Sequence, residues 1–161
     1  MYIDSTSCPI RRPSNSEAQA ACYNGKNHTH SVKYECAVRV DGLFVWRTHA
    51  FPGSVHDIKI FQDGGLSDEL LASERLIGDK GYIGSDLIIT PYRGRNLTEE
   101  QKDFNTSINK SRVLIERSFG RLKSFGILSK PFRNHLDKHE IVFDICLNLT
   151  NINIIFQPLF Q

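Results

Sequence analysis

The stretch that decides the fold is residues 98–123, TEEQKDFNTSINKSRVLIERSFGRLK. Its apolar residues recur at steps of three, four and seven, which is the period of one buried stripe on an α-helix. Thr98 and Gln101 have the spacing of a capping box, so we expect the helix to begin at Thr98 and to run to Lys123. The predicted stripe comprises Phe104, Ile108, Ile115, Phe119 and Leu122.

Glu116 is the one acid between Lys110 and Arg133, a segment that carries seven basic residues. Helical spacing places it beside the buried stripe, in a second row with Arg112. Two interpretations are open. Glu116 forms an ion pair with Arg112, four residues earlier, or it is a metal ligand next to a phosphate-binding surface.

The composition is typical of one globular domain with a hydrophobic core. The chain has 161 residues, of which 40% are apolar and 24% charged, and its net charge is only +2, so clustering of charge matters more than the sum. The four cysteines include no CxxC pair, which argues against a zinc site and favours reduced thiols. No apolar run is long enough for a membrane span, and no signal peptide is expected.

Along the chain, the pattern predicts a mixed sheet covered by helices. We expect a short strand that ends at Asp4, an irregular loop to about Asn27, and a half-buried strand over 31–40. Asp41-Gly42 is a typical hairpin turn before the returning strand. Further elements are a helix capped by Ser54, a buried strand that ends at Asp79, a short strand at Leu87–Ile89, and a last, well-buried helix that reaches Phe156.

Two strand-end acids therefore join the helical one. In open α/β sheets, active sites gather where strands end, so Asp4, Asp79 and Glu116 are expected to converge. Three carboxylates share a small space only when cations neutralise them. Mg²⁺ suits such oxygen ligands, and two such ions about 3.5–4 Å apart activate a water and stabilise the leaving oxygen of a phosphodiester.

These residues lie in segments that resemble the catalytic domain of PIF/Harbinger-type DDE transposases and the nucleases derived from them. The resemblance runs nearly from end to end. The matching segments are Ile3-Asp4-Ser5-Thr6, Ile10-Arg11-Arg12-Pro13, Tyr23-Asn24-Gly25-Lys26, Pro52-Gly53-Ser54-Val55-His56-Asp57, Gly78-Asp79-Lys80-Gly81-Tyr82, Leu97-Thr98 with Gln101 and Phe104-Asn105, and Arg112-Val113-Leu114-Ile115-Glu116-Arg117 with Phe119-Gly120-Arg121-Leu122-Lys123. The last three segments together are specific, whereas any one alone is not.

The resemblance implies an α/β fold of the RNase H-like type, in which the strand with Asp4 lies between the hairpin and the strand before Asp79. It implies that Asp4, Asp79 and Glu116 are the catalytic DDE triad and bind two Mg²⁺ or Mn²⁺ ions. It also implies one catalytic domain over 1–161, shortened at its N-terminus and without the helix-turn-helix region of the family. Ser5 and Ser7 stand where the family often has Gly and His.

DNA is the partner that the resemblance implies. Candidate DNA-binding residues are Arg11, Arg12, Lys26, Lys80, Arg112, Arg117, Arg121 and Lys123. Their alternative role is that of solvated surface charges. If they contact DNA phosphates, binding should weaken as the salt concentration rises. Tyr82 is a candidate for stacking on an unpaired base. A separate DNA-binding protein and a second copy of the chain are further candidate partners, and the expected compartment is the nucleus in a eukaryote, otherwise the cell interior.

His56 and Asp57 are candidates for supporting the site, although Asp57 has the alternative of capping a helix together with Ser54. Three functions stay open. The first is an active metal-dependent DNA endonuclease or transposase core. The second is a domesticated or decayed domain that binds DNA or a protein without catalysis. The third is a nuclease that acts on RNA or a hybrid with the same metals.

Overall fold

The computed structural model describes residues 1–160 and has seven strands and six α-helices within them. The strands are β1 (Tyr2–Pro9), β2 (Tyr23–Asn24), β3 (Thr29–Val38), β4 (Phe44–Arg47), β5 (Phe51–Pro52), β6 (Leu76–Ile77) and β7 (Ile88–Ile89). The helices are α1 (Ser16–Cys22), α2 (Asp57–Gly64), α3 (Leu66–Glu69), α4 (Glu99–Leu122), α5 (Gly126–Ser129) and α6 (His139–Phe156). Short 3₁₀ turns lie at Lys80–Tyr82 and Leu136–Lys138.

All seven strands belong to one mixed sheet in the order β2-β3-β1-β6-β7, and β4 and β5 both pair with β3. β1 is antiparallel to β3 and parallel to β6, which it meets at Tyr2 and Ile77. The strand with Asp4 therefore lies between the hairpin and the strand before Asp79. The predicted mixed α/β fold, consistent with the RNase H-like type, is confirmed.

Two apolar clusters cover the two faces of this sheet. The larger one packs α4 and α6 on one face, around residues such as Tyr34, Ile115 and Phe143. The smaller one packs α2 on the other face, around Ile3 and Phe61. The four cysteines are free thiols.

β1 is longer than predicted. We expected a strand that ends at Asp4, but pairing with β3 continues to Pro9, which lies opposite Ser31. The strand continues beyond Asp4 because one of its sides is buried there: Thr6 and Cys8 are almost fully covered. The predicted loop to Asn27 is therefore wrong as well, since it holds the end of β1, α1 and β2. Asp4 lies within a strand and not at its tip.

The long helix is confirmed as α4. Thr98 caps it, and both hydrogen bonds of the capping box with Gln101 are present. Four residues of the predicted stripe are buried, but Phe104 is 37% exposed and packs edge-on against Tyr92. Phe104 lies near the start of α4, where the segment with Tyr92 packs against the helix.

Two other expectations on helices are wrong. The helix after Pro52 begins at Asp57 with His56 as its N-cap, because β5 and a turn from Pro52 to Val55 occupy the residues around Ser54. α6 is buried on one face only. Its opposite face exposes Ile145 by 54% and Phe156 by 81%. None of the helices within residues 1–160 is long and apolar enough to cross a membrane.

His139 is a core residue at the start of α6. It is 1% exposed, stacks on Tyr34, and lies edge-on to Phe132. A hydrogen bond of 2.8 Å joins its Nδ1 to the Tyr34 hydroxyl, and its Nε2 has no partner among the described residues. Burial lowers the pKa of His139 from 6.5 to about 4. The imidazole is therefore neutral in the folded protein at neutral pH.

This burial makes stability depend on pH. Because the pKa of His139 is lower in the folded chain, its contribution is complete above 6.5 and is lost as the pH falls towards 4. His139→Phe removes this dependence, so the stability of the wild-type chain relative to the variant should fall by about 2 kcal/mol between about pH 7.5 and about pH 5. Denaturant unfolding of both proteins at both pH values measures the difference in their free energies of unfolding. The contributions of all other titrating groups cancel, because both proteins share them. An equal difference at the two pH values would contradict the assignment.

Candidate functional site

A polar cleft of about 450 Å³ opens beside β1, the end of β6 and the middle of α4. Four carboxylates line it, namely Asp4, Asp57, Asp79 and Glu116. Three cations line it as well, namely Lys26, Lys33 and Arg112. The three acids of the predicted triad, far apart in sequence, thus come to one cleft.

Asp4 is the most enclosed of the three predicted acids. One of its oxygens accepts a hydrogen bond of 2.8 Å from the backbone N–H of Ser5, and the other lies 3.4 Å from a guanidinium nitrogen of Arg112. Burial raises the pKa of Asp4 to about 6, and the nearby Asp79 adds to this, while Ser5 and Arg112 oppose it. The carboxyl of Asp4 is therefore largely ionised at neutral pH, and a cation in the cleft would favour the ionised form further.

Asp79 lies two residues after the end of β6, next to Gly78, and caps the 3₁₀ turn at Lys80–Tyr82. Its Oδ1 accepts a hydrogen bond of 2.6 Å from the Gly81 N–H, which fixes the side chain over the turn. A Cβ on Gly81 would lie 2.8 Å from this oxygen and 3.1 Å from Oδ2 of Asp57. The missing side chain at Gly81 thus lets the two carboxylates approach the same turn.

Glu116 points from the exposed side of α4 into the cleft and has no hydrogen-bond or ion-pair partner within residues 1–160. The alternative of an ion pair with Arg112 is not what the structure shows, because the ion pair of Arg112 is with Asp4, on β1. The Nε of Arg112 is buried and has no hydrogen-bond partner in the described part of the chain. α4 therefore contributes a cation to Asp4 and an unpaired carboxylate to the cleft.

The carboxylate oxygens of the cleft are chemically suited to bind a hard divalent cation. Carboxylate oxygens are the ligands that Mg²⁺ and Mn²⁺ prefer, and three acids of the cleft carry them. As placed, no three His, Cys, Asp or Glu side chains of the described residues are close enough to hold one ion. Binding would require the acids to move together, and Glu116, which is exposed and unpaired, has the freedom to do so.

Asp57 lies in the cleft, whereas His56 is exposed and outside its lining. The Oδ1 of Asp57 accepts a hydrogen bond of 2.6 Å from the Ser5 hydroxyl and another of 3.3 Å from Nζ of Lys33. Joint capping with Ser54, the alternative from the sequence, is therefore wrong. Asp57 connects α2 with β1 and β3 instead, next to Asp4.

Lys33 and Asn24 are among the lining residues that the sequence did not indicate as candidates. The half-buried strand predicted over 31–40 puts Lys33 on its solvent-facing side, but α2 packs over that side, where Glu35 and Ala37 are fully buried. Asn24 is buried and bonds to Ser7 through its amide nitrogen, at 2.9 Å, while its oxygen accepts the N–H of Lys26. This arrangement is an Asx turn, which an Asn-Gly pair signals, and it holds Lys26 at the rim.

Six of the eight predicted DNA-binding residues lie outside the cleft. Arg117 and Arg121 line a separate cavity of about 780 Å³ between α4 and α6 and bond to the C-terminal segment, at Leu159 and Gln157. Lys123 donates to the carbonyls of Ser7 and Leu128, inside the structure. Three others are exposed elsewhere, namely Arg11, Arg12 and Lys80. Their contact with DNA stays a prediction.

Beneath the cleft lies a buried acid that the sequence did not reveal. Glu35 is 0% exposed, and neither of its carboxyl oxygens has a partner among the described residues. Burial raises the pKa of Glu35 to about 9, and Asp57 and Asp4 add to this. Glu35 is therefore protonated at neutral pH.

Tyr82 is also fully buried, and its hydroxyl has no partner within residues 1–160. The expectation that Tyr82 stacks on a base is therefore wrong.

Comparison with known proteins gives one family and two relatives. The family model described as DDE superfamily endonuclease matches residues 3–151. The chain is 33% identical over 142 residues to a probable transposase for insertion sequence element IS702 from Microchaete diplosiphon, covering 83% of this chain and 50% of the relative. It is 24% identical to a protein ALP1-like from Arabidopsis thaliana, covering 94% of this chain and 42% of the relative.

The chain thus spans about half the length of the curated relatives it matches. No solved structure matches it significantly.

Glu35→Gln tests the protonated state beneath the cleft. Because the pKa of Glu35 is raised on folding, its contribution is complete below 4.5 and is lost as the pH rises towards 9. The neutral Gln has no such loss, so the variant should be more stable by about 3 kcal/mol at about pH 7 and nearly equal at about pH 4. Denaturant unfolding at both pH values measures this. A variant less stable at neutral pH would show that the carboxylate is ionised and paired.

Proposed function

Because the chain belongs to the DDE superfamily endonucleases, we propose that it is the catalytic core of a divalent-metal-dependent DNA endonuclease or transposase. The observation that carries this proposal is the meeting of Asp4, Asp79 and Glu116 in one polar cleft. The relative described as a probable transposase supports DNA as the substrate. The reaction class is cleavage of a phosphodiester bond by water.

The proposed cofactor is a pair of Mg²⁺ or Mn²⁺ ions held by Asp4, Asp79 and Glu116. When bound, such ions activate a water and stabilise the charge on the leaving oxygen. The chain's own part is to keep these carboxylates ionised and oriented. The Ser5 N–H and Arg112 hold the two oxygens of Asp4, and the Gly81 N–H holds Asp79.

The cations of the cleft serve DNA binding in this proposal. Lys26 at the rim and Arg112 on the wall lie beside the carboxylates, where a phosphate would enter. Lys80, exposed next to Asp79, extends this surface. Contacts of this kind position the backbone and read no sequence. A separate DNA-binding protein or a second copy of the chain would supply sequence recognition, and nuclear localisation in a eukaryote belongs to the same proposal.

One observation favours the alternative of a domesticated or decayed domain without catalysis. The carboxylates within residues 1–160 are not arranged so that three of them can hold one ion. In that case the cleft would bind DNA or a protein through its cations, and divalent ions would have no specific effect.

Asp79→Asn separates the two functions. The variant removes one charge but keeps the side-chain oxygen that accepts the Gly81 N–H, so the turn is preserved. Nicking of supercoiled plasmid with Mg²⁺ or Mn²⁺ should fall by about 100-fold or more, because a metal ligand is weakened. Asp63→Asn is the matched control, since Asp63 is exposed on α2, outside the cleft, and pairs with Lys59 at 3.0 Å.

The proposal fails if the wild-type chain and Asp79→Asn nick plasmid equally. It also fails if chelation of divalent ions leaves the wild-type rate unchanged. Replacing the plasmid by RNA or an RNA–DNA hybrid tests the third function that the sequence left open.

Glu116→Gln tests metal binding without turnover. Calorimetric titration with Mn²⁺ should show carboxylate-dependent binding in the wild-type chain and a roughly 10–100-fold weaker affinity in the variant. Stability should change little, because Glu116 is exposed and has no partner among the described residues. Undetectable Mn²⁺ binding by both proteins would support the non-catalytic alternative.

A further inference from the structure

Lys33 is a partly buried cation in the wall of the cleft. It lies on β3 opposite Ser7 of β1 and exposes 13% of its side chain. Its Nζ donates a hydrogen bond of 2.8 Å to the Val55 carbonyl and one of 3.3 Å to Oδ1 of Asp57. An ammonium group has three N–H donors, so one of them has no acceptor among the described residues.

Lys123 shows what a purely structural lysine looks like in this fold. Its Nζ donates to three acceptors, which are the Ser7 carbonyl, the Leu128 carbonyl and the Cys8 sulfur, and it does not line the cleft. Lys33 has two acceptors and lines the cleft. The comparison leaves one donor of Lys33 without an acceptor among the described residues, on a side chain that lines the cleft.

The hydrogen bond to Asp57 also leaves Lys33 available. Charge-assisted N–H···O bonds are about 2.7–2.9 Å long, and the distance from Lys33 to Asp57 is 3.3 Å. The same oxygen of Asp57 already accepts the Ser5 hydroxyl at 2.6 Å. The carboxylate is therefore shared, and it fixes the position of the ammonium without neutralising it completely.

From these contacts we infer that Lys33 is a phosphate-contacting residue: its free N–H binds a phosphodiester oxygen of the DNA strand in the cleft. This inference rests on the proposed function and adds a residue to it. Asp57 and the Val55 carbonyl act as positioning groups, because they hold the ammonium in place before the DNA arrives. Little side-chain entropy is then lost on binding.

The salt dependence of DNA binding tests this contact. Binding of the full chain to a short duplex is measured with Ca²⁺ in place of Mg²⁺, so that cleavage does not interfere, over a range of salt concentrations. Loss of one phosphate contact reduces the slope of log K against log salt by about 0.9. Lys33→Met should show this reduction, and Lys33→Arg, which keeps the charge, should retain most of the wild-type slope. Lys59→Met, in an exposed pair with Asp63, is the control and should match the wild-type chain.

A double variant separates a contact from a change in net charge. Lys33→Met combined with Asp57→Asn removes the ammonium but leaves the net charge of the cleft unchanged. If Lys33 contacts a phosphate, the double variant keeps the reduced slope. If the double variant regains the wild-type slope, Lys33 serves only to neutralise Asp57, and the inference is overturned. A wild-type slope in Lys33→Met overturns it as well.

A second measurement uses the unaltered chain and does not depend on how the variants fold. Acetylation of lysines is followed by mass spectrometry with and without the duplex. Lys33 should be protected by DNA while Lys59 is not, and unprotected Lys33 would overturn the inference. Neither readout requires cleavage, so equal plasmid nicking by the wild-type chain and Asp79→Asn would reject the nuclease function while the Lys33 contact is judged separately.

Discussion

Crowding of negative charge in one cleft is the constraint on which the rest of the structure depends. Asp4, Asp57, Asp79 and Glu116 share the space, and three cations line it with them. Burial raises the pKa of Asp4, and the neighbouring carboxylates of Asp79 and Asp57 add to this. Two sets of contacts offset this negative charge. Arg112 pairs with Asp4 on one side, and on the other side Ser5 and Lys33 donate to Asp57. Glu35, deeper and without a cation, is kept protonated instead.

The pairing of β1 with β3 makes this arrangement possible. Residues directly opposite in an antiparallel pair share a face of the sheet, and neighbours along a strand alternate between the two faces. Ser5 and Ser7 lie opposite Glu35 and Lys33 and share the face covered by α2, whereas Asp4 meets α4. β1 is thus held from both sides at adjacent residues. A shift of the β1–β3 register by one residue would turn the side chains of β1 to the opposite faces of the sheet and bury the wrong ones.

The sequence predicted those parts whose signal is local. α4 was predictable to within a residue, because its period and its capping box both lie within the helix. The family resemblance indicated the position of β1 in the sheet and the three acids of the cleft. The length of β1 was not predictable, because Ser5 and Ser7 are polar and mask the alternation of buried and exposed residues. These serines face α2, and the sequence does not show that α2 packs there. The burial of α6 was overestimated for a related reason: an apolar helix does not reveal which of its faces has a partner.

Lys33 and Arg112 illustrate how such a site is built from residues that look ordinary in the sequence. Both cations form long ion pairs, at 3.3 and 3.4 Å, with carboxylates that have a second and shorter hydrogen bond. Both distances exceed the 2.7–2.9 Å of a strong charge-assisted hydrogen bond. The shorter bonds from Ser5 fix the positions of the two carboxylates without involving either cation. The acids are therefore near one another without a closed network between them, an arrangement that suits the proposed binding of a metal ion and of a phosphate.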